Sequence, residues 1–105
     1  MHVIVAGVDE YDLGHAIEDE GHDVATVDIA NRPALEENAI HETDVFVLTE
    51  IEQATSIAIA KDLNPDLKVV VYAEDSLPDF ARRQADLVVD PRLIDAETVA
   101  EELDA

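Results

Sequence analysis

Five short apolar runs punctuate the chain: Val3-Ile4-Val5-Ala6, Val24-Ala25-Thr26-Val27, Val45-Phe46-Val47-Leu48, Val69-Val70-Val71-Tyr72 and Leu87-Val88-Val89. They are rich in β-branched residues and mostly continuous rather than alternating, the pattern of parallel strands covered on both faces. The segments between them carry helix start and stop signals. A first helix is predicted from about Glu10 to Glu20, with Leu13 and Ile17 one turn apart and Gly21 as the left-handed residue after its end. A short second helix covers about Arg32 to Asn38, behind Asn31 and with Pro33 in its first turn. A third begins at Thr49, where Thr49-Glu50-Ile51-Glu52 reads as a capping box. It carries the stripe Ile51, Ala54, Ile57 and Ala58 and ends at Asn64-Pro65. A fourth begins at Ser76, with Pro78 and Asp79 in its first turn, and a fifth at Asp95, with Ile94 and Val99 as a hydrophobic staple. The alternation predicts one Rossmann-like (βα)5 domain over residues 1–105. Its architecture is a three-layer α/β/α sandwich around a five-stranded, parallel, doubly wound sheet.

Composition narrows the function. Asp and Glu number 26 against 6 Lys and Arg, a formal net charge of −20, and there is no Cys. Without Cys there is no disulfide scaffold, thiolate zinc site, iron–sulfur cluster or thiol nucleophile. The charge argues against nucleic acid and anionic membrane partners, whose phosphates would be repelled. No apolar run approaches the roughly 18 residues of a membrane span, and the start MHVIVAG lacks the basic region of a signal peptide. The acids sit between compact apolar runs, so the chain reads as a folded protein of a salt-rich cytoplasm. In molar salt the Debye length is only about 3 Å, and surface self-repulsion is largely screened.

In a doubly wound sheet, ligands bind beyond the carboxyl ends of the strands. Those ends are Gly7 to Asp12, Asp28 to Asn31, Thr49-Glu50, Ala73 to Asp75 and Asp90-Pro91. Around them the chain resembles the N-terminal nucleotide-binding half of the TrkA/RCK family, Rossmann domains that regulate potassium transport. VIVAG, EGHDVATVD, TDVFVLTEIEQATSIAIAKDLNPDLKVVVYAED and the closing ADLVVDP carry the resemblance. It implies a pocket for NAD(H) or an adenine nucleotide, with Gly7, Val8 and Asp9 at the phosphate turn. Asp28, 21 residues after Gly7, would hold the ribose, and Thr49 would border the nucleotide. It also implies a non-catalytic sensor that reports occupancy to a transporter or other regulatory partner. The alternative is a degenerate Rossmann module for structure or dimerisation that no longer binds nucleotide. Open sheet edges favour a homodimer.

The glycine pattern departs from that family. Gly7-Val8-Asp9-Glu10-Tyr11-Asp12 keeps only the first glycine of G-x-G-x-x-G. Asp9 is placed to cap the first helix, taking the N–H groups a pyrophosphate would use. Thr49 also reads as an N-cap, Arg82-Arg83 as surface salt-bridge partners, and Tyr72 and Phe46 as core. Tyr11 suits packing on the sheet, a dimer contact or stacking on a base. His2, His15, His22 and His41 have no metal-ligand spacing, and no metal site is expected. A response-regulator receiver has the same (βα)5 layout, but it needs an Asp acceptor after strand three and a Lys after strand five. Thr49 and Asp90 stand there, so phosphotransfer is not expected. No catalytic constellation emerges, because Ser56 and Ser76 lack a nucleophile-elbow context.

Overall fold

A computed structural model describes residues 1–103; the last two residues of the expected 1–105 domain lie outside the described ones. Strands β1 (His2–Ala6), β2 (Asp23–Val27), β3 (Val45–Leu48), β4 (Lys68–Tyr72) and β5 (Leu87–Val89) alternate with helices. These are α1 (Leu13–Asp19), α2 (Arg32–Glu37), α3 (Thr55–Leu63), α4 (Asp79–Arg82) and α5 (Ala96–Glu102). The strands pair in parallel in the order β2-β1-β3-β4-β5. The doubly wound fold read from the apolar runs is the one found. The order of its strands is the flavodoxin type, in which β3 lies beside β1; in the dinucleotide-binding order 3-2-1-4-5-6 that neighbour is the fourth strand.

Alternate residues of the inner strands β1, β3 and β4 feed two cores. Val3, Val5, Val45, Val47, Val70 and Tyr72 pack beneath Leu13 and Ile17 of α1 and Val99 and Ala100 of α5. Ile4, Ala6, Phe46, Leu48, Val69 and Val71 pack beneath Leu35, Ile57, Ala60 and Ala81 of α2, α3 and α4. Continuous apolar strands are needed because helices cover both faces. The register pairs Ala6 with Leu48, so the turns beginning at Gly7 and Thr49 emerge side by side at the carboxyl edge.

Helix boundaries depart from the pattern in three places. Asp12 adopts a left-handed φ of 57°, and α1 starts at Leu13, three residues later than predicted. Thr49 does not cap α3. Its hydroxyl donates to the Ala6 carbonyl at 3.0 Å, a 3-10 turn at Ile51–Gln53 intervenes, and α3 begins at Thr55. That shift turns Ala58 outward and brings Ala60 into the core in its place. The fourth helix is a single turn that starts after Pro78, not at Ser76. Elsewhere the signals act as expected. Asn31 Oδ1 accepts the Ala34 N–H, Asp95 Oδ1 accepts the Thr98 N–H, and Gly21 closes α1 at φ 91°.

Asn64 does more than end α3. Its Nδ2 donates to the carbonyls of Ile40 at 2.9 Å and Thr43 at 2.8 Å, tying the helix to the 3-10 turn Ile40–Glu42. Asn64→Ala orphans both carbonyls and is expected to lower the unfolding free energy by about 1–3 kcal/mol in chemical denaturation. A loss below about 0.5 kcal/mol would contradict that role.

Candidate functional site

The carboxyl edge is built around the turn after β1. Gly7 leaves the strand at φ 100°, with its N–H on the Val27 carbonyl at 2.8 Å. A Cβ there would lie 2.6 Å from Thr49 Oγ1 and 2.9 Å from Glu50 Cγ. The glycine is required by the close approach of the β3 turn and by its own backbone. Asp9 then turns back on α1. Its Oδ1 accepts the Leu13 N–H and its Oδ2 the Gly14 N–H, both at 2.8 Å. This is the capping expected of Asp9, reached from four and five residues back because Asp12 breaks the helix. A Cβ on Gly14 would sit 3.1 Å from the same Oδ2, so a larger residue would crowd the cap.

Two more acids complete the edge. Glu50 Oε1 accepts the Val8 N–H at 2.6 Å, joining the β3 turn to the β1 turn. Glu74, after β4, accepts the Tyr11 hydroxyl on Oε2 at 2.6 Å, and its Oε1 lies 3.5 Å from Arg92 Nε. Arg92 in turn binds Asp90, after β5, with Nη2 2.8 Å from Oδ2 and Nε 3.1 Å from Oδ1. Tyr11, Glu74, Arg92 and Asp90 thus form one polar chain across the tops of three strands. The Tyr11 ring meets Tyr72 edge to face, with centroids 5.9 Å apart, and the Tyr72 hydroxyl donates to the Ile94 carbonyl at 2.8 Å.

These groups shift one another's protonation. The hydrogen bond to Glu74, with burial and the charges of Glu74 and Glu10, pushes the Tyr11 phenol up to about 12. Burial raises Tyr72. The hydrogen bonds from Arg92 hold Asp90 below the usual carboxylate range.

A cavity of about 190 Å³ lies between these turns. Asp9, Glu10, Glu50, Glu52, Glu74 and Asp75 line it, and no cationic side chain does. Small-molecule sites usually enclose roughly 300–1,000 Å³. Of the sequence-predicted residues, Val8, Asp9 and Thr49 line the cavity, and Gly7 packs against Thr49 and Glu50 outside the lining. Asp28 stands apart, exposed after β2 and outside the lining. Its carbonyl accepts Gln53 Nε2 at 2.8 Å, while Gln53 Oε1 accepts the Ala30 N–H. Sequence reasoning missed the roles of Glu50, Gln53 and Glu74. For Glu50 and Glu74 the one available sign was their position just after apolar strands; Gln53 gave none. Among the described residues no group of three or more His, Cys, Asp or Glu is arranged to hold a metal ion. Nor is any helix among them long and apolar enough to cross a membrane. Arg82 donates to the Leu77 carbonyl at 3.1 Å, and the expected salt bridges of Arg82 and Arg83 do not form among the described residues.

A model of a protein family of unknown function, DUF7126, matches residues 3–103, and the chain belongs to that family. No curated protein matches it. Several solved structures share the fold. A response regulator from Thermotoga maritima has a TM-score of 0.73 at 16% identity, over 98% of this chain and 93% of that one. A pilus assembly-related protein from Burkholderia pseudomallei has a TM-score of 0.71 at 16% identity, over 99% and 87%. An atypical orphan response regulator has a TM-score of 0.72 at 12% identity, over 99% and 92%. At these identities the likeness is one of fold.

The TrkA/RCK assignment is therefore corrected. The matching family is DUF7126, and the neighbours are response regulators and a pilus assembly-related protein. With it fall the reading as an NAD(H)- or adenine-nucleotide-sensing module, its nucleotide-free Rossmann alternative and the transporter partner drawn from the same family. The physical grounds agree. The third strand, not the fourth, neighbours β1, and the chain's own carboxylates occupy the N–H groups that would meet a pyrophosphate.

Two outcomes test this geometry. Gly7→Ala is expected to lower the unfolding free energy by about 1–3 kcal/mol, since the Cβ meets Thr49 and the backbone is left-handed; a neutral change would contradict the packing. Tyr11 and Tyr72 are the two tyrosines, so a Tyr72→Phe background isolates Tyr11 in an absorbance titration. There the phenolate midpoint should stand near 12 and fall toward the ordinary 10 on Glu74→Ala. A midpoint that Glu74→Ala leaves in place would break the link.

Proposed function

We propose that this DUF7126 domain is a regulatory module of receiver shape that acts by contact with other proteins and performs no phosphoryl transfer. The charge of the carboxyl edge carries the reading. Phosphoryl transfer depends on positioning and on cations that neutralise the transferring oxygens. Receiver-type transfer asks for an Asp after the third strand and a Lys after the fifth. Here β5 is followed by Asp90, already bound to Arg92. After β3 come Thr49, whose hydroxyl is spent on Ala6, and Glu50, whose carboxylate accepts the Val8 N–H. Six carboxylates and no cation line the cavity beside the β3 turn, so a phosphate dianion meets like charge there and no counter-charge.

One structural neighbour, the atypical orphan response regulator, is described as revealing a phosphorylation-independent regulatory mechanism. That description belongs to its own protein; it supports the present reading through the shared fold alone. On this reading, regulation resides in which protein surface the domain touches. The acid-rich, Cys-free composition suits a salt-rich cytoplasm.

The test is incubation with acetyl phosphate and Mg²⁺ in molar KCl, followed by intact-mass spectrometry with and without hydroxylamine. The expected result is an unmodified chain. A hydroxylamine-labile phosphoryl adduct, on Glu50 or any other carboxylate, would overturn the proposal.

A further inference from the structure

The net charge is unevenly distributed. Residues 76–94 carry three acids, Asp79, Asp86 and Asp90, and three arginines, Arg82, Arg83 and Arg92. The segment is neutral, and the whole charge of −20 lies outside it. The same segment holds five of the nine large apolar side chains that stand exposed among the described residues. They are Phe80, Leu87, Val88, Leu93 and Ile94, with Phe80 63% and Leu93 82% exposed. They gather at one side of the molecule, where β5 is an edge strand and α4 a single turn.

Exposed apolar patches of this kind mark interaction surfaces. The shape here is twofold. Leu77, Val88, Leu93 and Ile94 line a groove of about 470 Å³, whose charged lining is Glu74, Asp75 and Asp90 with Arg82. Phe80 stands free on a neighbouring part of the same face, beside Arg82 and Arg83. Knob and groove are thus carried together. An isologous contact needs this arrangement, because the same patch must serve as both partners.

We infer that this face binds a second copy of the chain, the two related by a twofold axis, with Phe80 of each copy seated against the apolar groove of the other. The inference rests on the reading of the domain as a protein-contact module and names its partner. Charge selects that partner. The side around Phe80 carries Arg82 and Arg83 against Asp79, and the groove carries Glu74, Asp75 and Asp90 against Arg82, so the twofold contact brings opposite signs together. Arg83, which makes no ion pair among the described residues, is available to an acid across the axis. A uniformly acidic partner would meet Asp79, Asp86 and Asp90 as well as the arginines. The remaining charge on each copy still opposes association when the Debye length is long, so dimerisation should strengthen with salt, the reverse of contacts made by ion pairing.

Sedimentation equilibrium on the full chain in molar KCl provides the test. The wild type is expected at twice the 11.5 kDa chain mass. Lowering the salt to roughly 0.1 M should weaken association. Phe80→Asp should weaken it by at least about tenfold, as loss of a central aromatic anchor does. Because Phe80 is exposed, the circular dichroism of that variant should match the wild type. Ile29→Asp, 63% exposed in the wild type and beyond the opposite edge strand β2, should leave the dimer intact. A wild type that stays monomeric, or a Phe80→Asp variant as dimeric as the wild type, would overturn the inference. Neither result touches phosphoryl transfer, which the mass-spectrometric test decides separately.

Discussion

The Asp9 carboxylate closes the N-terminus of α1, and the character of the carboxyl edge follows from that one contact. A free helix N-terminus attracts anions through its unpaired N–H groups. Here the first two carry a built-in anion at 2.8 Å. Glu50 does the same for the Val8 N–H. These three donors are thus satisfied from within the chain, and the carboxylates that satisfy them repel a phosphate. The fold keeps the crevice of a doubly wound sheet, about 190 Å³ of it open, and lines it with its own carboxylates. Tyr11, Glu74, Arg92 and Asp90 extend the closure across β4 and β5.

An edge closed in this way separates fold from chemistry. The sheet order and the two-sided core are shared with response regulators, yet the positions after β3 and β5 hold side chains engaged with their neighbours. What remains for interaction is the outer surface. Most of it carries a dense negative charge that keeps other acidic proteins away in dilute salt. The neutral, apolar stretch around β5 and α4 differs from the rest in charge and in hydrophobic exposure at once. Either difference alone would be weak evidence of a contact surface.

Much of the fold was legible in the sequence because it follows from local physics. Continuous Val- and Ile-rich runs read as strands, and all five are found where the runs lie, with β1, β3 and β4 buried on both faces and the edge strands β2 and β5 only partly covered. Asn31, Asp95 and Gly21 announced helix ends through bonds or backbone angles local to them. What was not legible depends on long-range partners. Thr49 looked like a helix cap, but its hydroxyl serves Ala6, 43 residues away. Asp12 gave no sign of its left-handed backbone, which moved the start of α1. Glu74 acquires its role from Tyr11, 63 residues away. The resemblance to nucleotide-binding Rossmann domains failed for the same reason. Runs such as VIVAG encode a buried strand and a glycine turn, which several sheet orders share. Only the pairing of β3 with β1 tells those orders apart.

The most direct measurement is an amide chemical-shift titration of isotopically labelled protein in molar KCl with Mg²⁺ and beryllofluoride, a mimic of a phosphoryl group on a carboxylate. With Val8, Leu13 and Gly14 already bonded to Glu50 and Asp9, their amide signals should stay in place throughout the titration. Saturable movement of these signals, together with those of the residues after β3 and β5, would mean that the edge accepts a phosphoryl group and is not closed by its own carboxylates.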